Sequence, residues 1–182
     1  MTRGLIMGMI AATCIALTMP AIAAPVEAIP ALEQSYLQKA AERHQAEVAL
    51  GQLALQKAAS DRIKQYAARM IQDHQKVIED VQKLIRKEGE LSMPHQEMQR
   101  KLSKLSGKDF DEAYIAFMVQ DHGKDLGELE QRTSTVTNPR VQRWMEDALR
   151  LLKDHLAEAK AVAAAMGVNP TSEPIVQDST SQ

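Results

Sequence analysis

The residues best suited to chemistry are histidines that recur at one spacing in separate helical runs. Met70-Ile71-Gln72-Asp73-His74 returns as Met118-Val119-Gln120-Asp121-His122, and a looser copy follows at Leu151-Leu152-Lys153-Asp154-His155. Each histidine has an apolar residue four positions before it. Positions i and i+4 share a helix face, so each imidazole falls on or beside an apolar stripe. Imidazoles gathered inside a helical bundle are suited to holding a transition metal.

Register adds a carboxylate. His74 and Glu47 are nearly equidistant from Ser60, as are His74 and His44, so two antiparallel helices turning at Ser60 bring them to one height. His122 and His155 centre in the same way on Asn138-Pro139. One ligand-capable residue per long helix therefore converges: Glu47, His74, His122 and His155, with His44 as a fifth. Such a set is matched to one transition metal ion, and Fe, Zn, Mn, Ni and Cu all accept these donors. The plainer alternative is a set of inward histidines satisfied by neighbouring side chains, in a bundle that holds no metal.

Three histidines carry an acid three residues on, as His44/Glu47, His122/Asp125 and His155/Glu158. That spacing keeps each pair near one face, where the acid serves as ligand or as orienter of an imidazole N–H. Asp73, Asp121 and Asp154 lie about 100° from their histidines. They are expected at a helix boundary or in solvent, with an outer acceptor role as the alternative. His95, beside Pro94, is expected on the surface. Met70, Met118 and Met145 read as core filler rather than copper or haem ligands.

Four long helices must position these residues. The first runs from Leu32 to about Ala59, with Leu37, Ala40, His44, Val48, Gly51 and Leu55 on its inner face and Gly51 available for close approach of a neighbour. Ser60 caps the second, which reaches about Lys87 and is closed by Gly89. From Gly89 to Asp109 a connector holds a short helix opened by Pro94 and carrying Met98, Leu102 and Leu105. It is long enough to carry the chain back along the bundle and make the second and third long helices parallel. Asp109 with Glu112 reads as a capping box for the third. Asn138-Pro139 opens the fourth, and Gly167 stops it. The domain plan is a signal peptide over 1–23, a tether over 24–31, a bundle over 32–166 and a polar tail over 167–182.

The leader reading rests on Arg3, the apolar stretch from Leu5 to Pro20, and Ala21-Ile22-Ala23 ahead of a cut before Ala24. Cys14 is the one cysteine among 182 residues and falls in that leader, so the mature chain is expected to lack thiol chemistry and to suit the periplasm. One Trp, three Tyr and two Phe, against abundant Ala, Leu, Gln, Glu and Lys, favour helices over strands. The 22 basic and 24 acidic side chains are mixed throughout, which argues against nucleic acid. The leader's apolar run is too short for a membrane span, so an integral membrane protein is not expected.

A family resemblance rests on Glu47 in a Glu-x-x-x-Gly-x-Leu-Ala run and on Ala67-x-x-Met70-Ile71-x-Asp73-His74. Phe110-Asp111-x-x-Tyr114-Ile115 leading to His122, and then His155-Leu156, complete it. In this order the motifs resemble the DUF4142 family over roughly 32–166. The resemblance implies an exported bacterial protein of unknown function with a ferritin-like four-helix fold, sometimes labelled an outer membrane protein. Long helical periodicity does not fit a membrane barrel of alternating strands. The chain also has no Glu-x-x-His, the motif with which di-iron members of that fold supply bridging carboxylates. Two functions stay open: a periplasmic metal-handling or stress-protection bundle, and a non-catalytic structural or interaction protein of the envelope, with an envelope partner or self-association. Enzymatic use of a bound metal is less favoured, because neither a nucleophile elbow nor a phosphate loop accompanies the histidines.

Overall fold

The computed structural model describes residues 28–85 and 93–171. They form an all-α bundle: α1 (Ala31–Lys57), α2 (Asp61–Ile85), α3 (Met93–Leu102), α4 (Gly107–Thr133) and α5 (Pro139–Met166). The four long helices and the short connector helix follow the expected plan. The leader with Cys14, Gly89 and the tail beyond residue 171 lie outside the described residues. Of the tether, residues 28–30 are non-helical, and Ile29 is buried against the bundle.

Two buried carboxylates set the chain directions. Asp111, near the start of α4, accepts from the backbone N–H groups of Ala59 at 3.1 Å and Ser60 at 2.7 Å, pinning the α1–α2 turn to that end. Glu33, near the start of α1, accepts from the Thr137 N–H at 2.8 Å and the Thr137 hydroxyl at 2.9 Å, pinning the α4–α5 loop to the other end. Helix α2 therefore starts at the same end as α4, and α1 at the same end as α5. The second and third long helices are parallel, and α3 lies in the single crossover that makes them so. Replacing Asp111 with Ala orphans two partly buried N–H groups and should cost roughly 1–2 kcal/mol in urea denaturation.

The caps match the sequence in part. The Asn138 side chain accepts from the N–H groups of Arg140 and Val141, with Pro139 at the first helical position. Gly167 is left-handed at φ 70°, and the Gly167 and Val168 N–H groups bond the carbonyls of Ala164 and Ala163. At α4 the capping box does not form. The helix starts earlier, after an extended Ser106 without a side-chain cap, which leaves Asp109 inside the first turn. There its charge still suits the helix dipole.

Gly51 serves close approach, as expected. A Cβ there would lie 2.8 Å from Ile71 Cγ1 and 3.2 Å from the Ala67 carbonyl oxygen. Gly51→Ala gains helix propensity of about 1 kcal/mol but forces α1 from α2. The Ala67 backbone cannot yield by rotation, so a net loss of about 1 kcal/mol is expected by the same assay. The inner face of α1 is also rotated from the expected one. Leu37, Ala41, His44, Glu47, Leu50, Gly51 and Ala54 are buried, whereas Leu55 is exposed. Steps of three from Ala41 to Leu50 shift the buried face round the helix by about 60° each, and α1 touches α2, α3 and α4.

The core falls into two apolar clusters. One, at the end of the α1–α2 turn, includes Leu50, Ile63, Met70, Phe110, Tyr114, Met118 and Ala159. The other, toward the α4–α5 loop, includes Leu37, Ala41, Val77, Leu129, Val141, Met145 and Leu152. Met70, Met118 and Met145 are thus core residues. On every long helix the polar layer of His44, Glu47, His74, His122 and His155 falls between the two clusters in sequence.

Candidate metal centre

All five expected ligands meet there. His122 and His155 are 0% exposed, His74 and Glu47 1%, and His44 8%. The ring centroids of His74, His122 and His155 are 5.1, 5.5 and 5.9 Å apart. One donor nitrogen from each lies within 4.8 Å of the other two. On the other side of His74, its Nδ1 is 2.9 Å from Glu47 Oε2 and 2.7 Å from His44 Nδ1.

The centre's polar atoms are not satisfied by protein. Glu47 Oε1, His74 Nε2, both ring nitrogens of His122 and His155 Nδ1 are buried without a hydrogen-bond partner. An orphaned buried polar group costs about 1–3 kcal/mol, so five together are a costly layer for a bundle. An ion fits them. With bonds of 2.0–2.1 Å and a ring nitrogen about 1.1 Å from its centroid, three imidazoles placed tetrahedrally have centroids roughly 5.2 Å apart. The observed spacings lie close to that value.

Outer residues hold the rings in position. His155 Nε2 lies 2.9 Å from Asp73 Oδ2, which also accepts from Arg69 Nε at 3.2 Å. Donation of the His155 Nε2 proton to Asp73 leaves the Nδ1 lone pair inward, the arrangement by which carboxylates orient metal-bound histidines. Burial works to raise the Asp73 carboxyl, but His155 and Arg69 outweigh it and hold it below its ordinary range. A cleft of about 370 Å³, lined by Asp73, Asp80, Trp144 and Asp147 among others, brings the surface to this acceptor.

The electrostatics favour a cation. Burial lowers His74 against the opposing pull of Glu47, and lowers His122 to about 4, so both rings are neutral at pH 7. Burial would raise the Glu47 carboxyl, but the facing His74 and the close polar contacts with His44 and His74 hold it well below the usual range. One buried carboxylate beside the neutral rings of His74 and His122 is a ready counter-charge for a metal ion.

Several expected partnerships are redirected. His44 does meet Glu47, at 3.2 Å. Asp125 instead pairs with Arg43, and Glu158 with Arg69 at 2.5 Å, each with a cation of another helix. Asp73 and Asp121 are acceptors, each for a histidine of another helix, and Asp154 is exposed. The expectation for His95 is overturned. It is buried at 5% exposure, lies 3.0 Å from Asp121 Oδ2, and meets the Phe117 ring edge-on. Burial lowers it, but Asp121 outweighs burial and raises it. The spacing His95, Met98, Leu102 along one face of α3 was the available signal. Asp121 also joins Glu47 and His122 in a donor group that sequence reasoning missed. The buried, unpartnered hydroxyls of Tyr66 and Tyr114 were missed too. Each lies eight residues before a histidine of the centre on its helix.

The chain matches the family described as Domain of unknown function (DUF4142) over residues 18–162. It belongs to the DUF4142 family. No curated protein and no solved structure matched it. The DUF4142 motifs can now be placed: Glu47, His74, His122 and His155 line the centre, Gly51 admits α2, and Asp111 pins the α1–α2 turn. Among the described residues of this DUF4142 chain, no helix is long and apolar enough to cross a membrane.

Proposed function

We propose that this protein is an exported, periplasmic metal-binding bundle. It captures a transition metal ion through His74, His122 and His155, with the Glu47 carboxylate beside them. Its use would be metal handling or protection against metal stress in the envelope. The observation that carries this reading is the set of five unpartnered polar atoms, from four residues on four helices, buried between two apolar clusters. The N-terminal apolar stretch ending in Ala21-Ile22-Ala23 supports export. When bound, the ion would supply Lewis acidity, while the chain's own residues hold it, orient it through Asp73 and keep water away.

Thermal unfolding tests the binding. In the chain stripped with chelator, added Zn(II), Co(II) or Ni(II) at a hundredfold excess over Kd should stabilise by about 2.7 kcal/mol per site. For a bundle of this size that is a Tm rise of roughly 10 °C. The His74→Ala/His122→Ala double variant should show no rise. A double variant that responds like the parent would place the ion elsewhere, and a parent that never responds would refute binding.

A further inference from the structure

Beside the three-histidine set lies a triangle of donor atoms that, with Glu47 ionised, no placement of protons on the two imidazoles satisfies. His44 Nδ1 and His74 Nδ1 are 2.7 Å apart, His74 Nδ1 and Glu47 Oε2 2.9 Å, and His44 Nδ1 and Glu47 Oε2 3.2 Å. A ring nitrogen carries at most one proton, and that proton points along one edge. If both imidazoles donate to Glu47, the shortest edge sets two N–H groups against each other. If one imidazole donates to the other, the acceptor's lone pair faces the carboxylate across the remaining edge. All three residues are buried, so solvent does not relieve the conflict.

A cation seated above the plane of the triangle does. Donor atoms 2.0–2.2 Å from an ion and at right angles around it lie about 2.8–3.1 Å from one another. The observed edges bracket that range. Two imidazoles and one carboxylate on one face of an octahedron form a set suited to Fe(II) and similar ions. His74 presents its other nitrogen, Nε2, without a partner, and the residue is also a member of the set with His122 and His155.

We infer that the centre takes two transition metal ions, the second held by His44 Nδ1, Glu47 Oε2 and His74 Nδ1, with the His74 ring bridging the pair. This rests on the three-histidine site proposed above. A neutral imidazole has one N–H, so ligation through both nitrogens of His74 releases that proton to solvent and leaves an imidazolate between the ions. They would lie about 6 Å apart, given bonds of 2.0–2.1 Å at each nitrogen.

Cu(II) is the probe. The full-length mature chain is stripped, titrated with Cu(II) and desalted, and copper is counted by elemental analysis beside the low-temperature electron paramagnetic resonance spectrum. Two ions per chain are expected, with integrated intensity well below two independent spins because the imidazolate couples them. His44→Ala should hold one ion at full intensity, and His44→Gln supplies the same comparison if the alanine variant does not fold. One ion in the parent would overturn the second position and leave the first standing. No ion would overturn both. Two uncoupled ions that survive loss of His44 would also overturn it, because the copper would then sit elsewhere.

Discussion

Metal-free His122→Leu is expected to be more stable than the metal-free parent, by about 2 kcal/mol. Substituting a buried histidine ordinarily destabilises, because the ring packs and its nitrogens are bonded. Here the ring packs, but both of its nitrogens are buried without partners. Leu fills a similar volume between the same apolar clusters and removes two orphaned polar atoms. Metal reverses the comparison. The parent gains the binding energy of an ion on His74, His122 and His155, which the variant lacks. Urea denaturation with and without added Zn(II) reads both signs. A His122→Leu chain less stable than the parent in chelator would mean that the imidazole is a structural element.

Acid should widen that difference. In the unfolded chain a histidine titrates near 6.5, and burial brings His122 down to about 4 in the folded, metal-free chain. Between these values the unfolded state binds the extra proton, so the histidine's contribution to stability is lost as pH falls from about 6.5 to 4. The loss amounts to about 3 kcal/mol. The groups facing the ring are Glu47, His74, His155 and Asp121. His74 is lowered as well and adds to the trend. Asp125 works the other way, since burial raises its carboxyl to about 7, and folding then favours its protonated form as pH falls. The parent's own curve is therefore a sum, and His122→Leu isolates the imidazole. Its advantage over the parent should grow by about 3 kcal/mol from pH 6.5 to 4. An advantage independent of pH would mean that the His122 ring is not desolvated in the folded chain.

The architecture was legible because its signals are periodic. Apolar residues at helical spacing, Asn138-Pro139, Gly167 and a connector too long for a hairpin gave the helices, their order and the parallel pair. Convergence of Glu47, His74, His122, His155 and His44 followed from counting residues outward from two turns. Lateral contacts were not legible in this way. Asp73 and Asp121 each precede a histidine, yet the angle between adjacent helix positions turns them toward neighbours, where they serve His155 and His95. Asp125 and Glu158 met Arg43 and Arg69 because helix rotation, which no single helix records, decides what lies across a seam. The Asp109/Glu112 pattern failed as a cap because the chain was already helical at Gly107.

The most direct test of a buried metal centre is elemental analysis by mass spectrometry of the untagged protein, purified without chelator, beside the His74→Ala/His122→Ala double variant. The expected result is a transition metal in stoichiometric amount in the parent and none in the variant. A metal-free parent that also takes up no Fe, Zn, Mn, Ni or Cu on titration would contradict the account and return the histidine layer to structure alone.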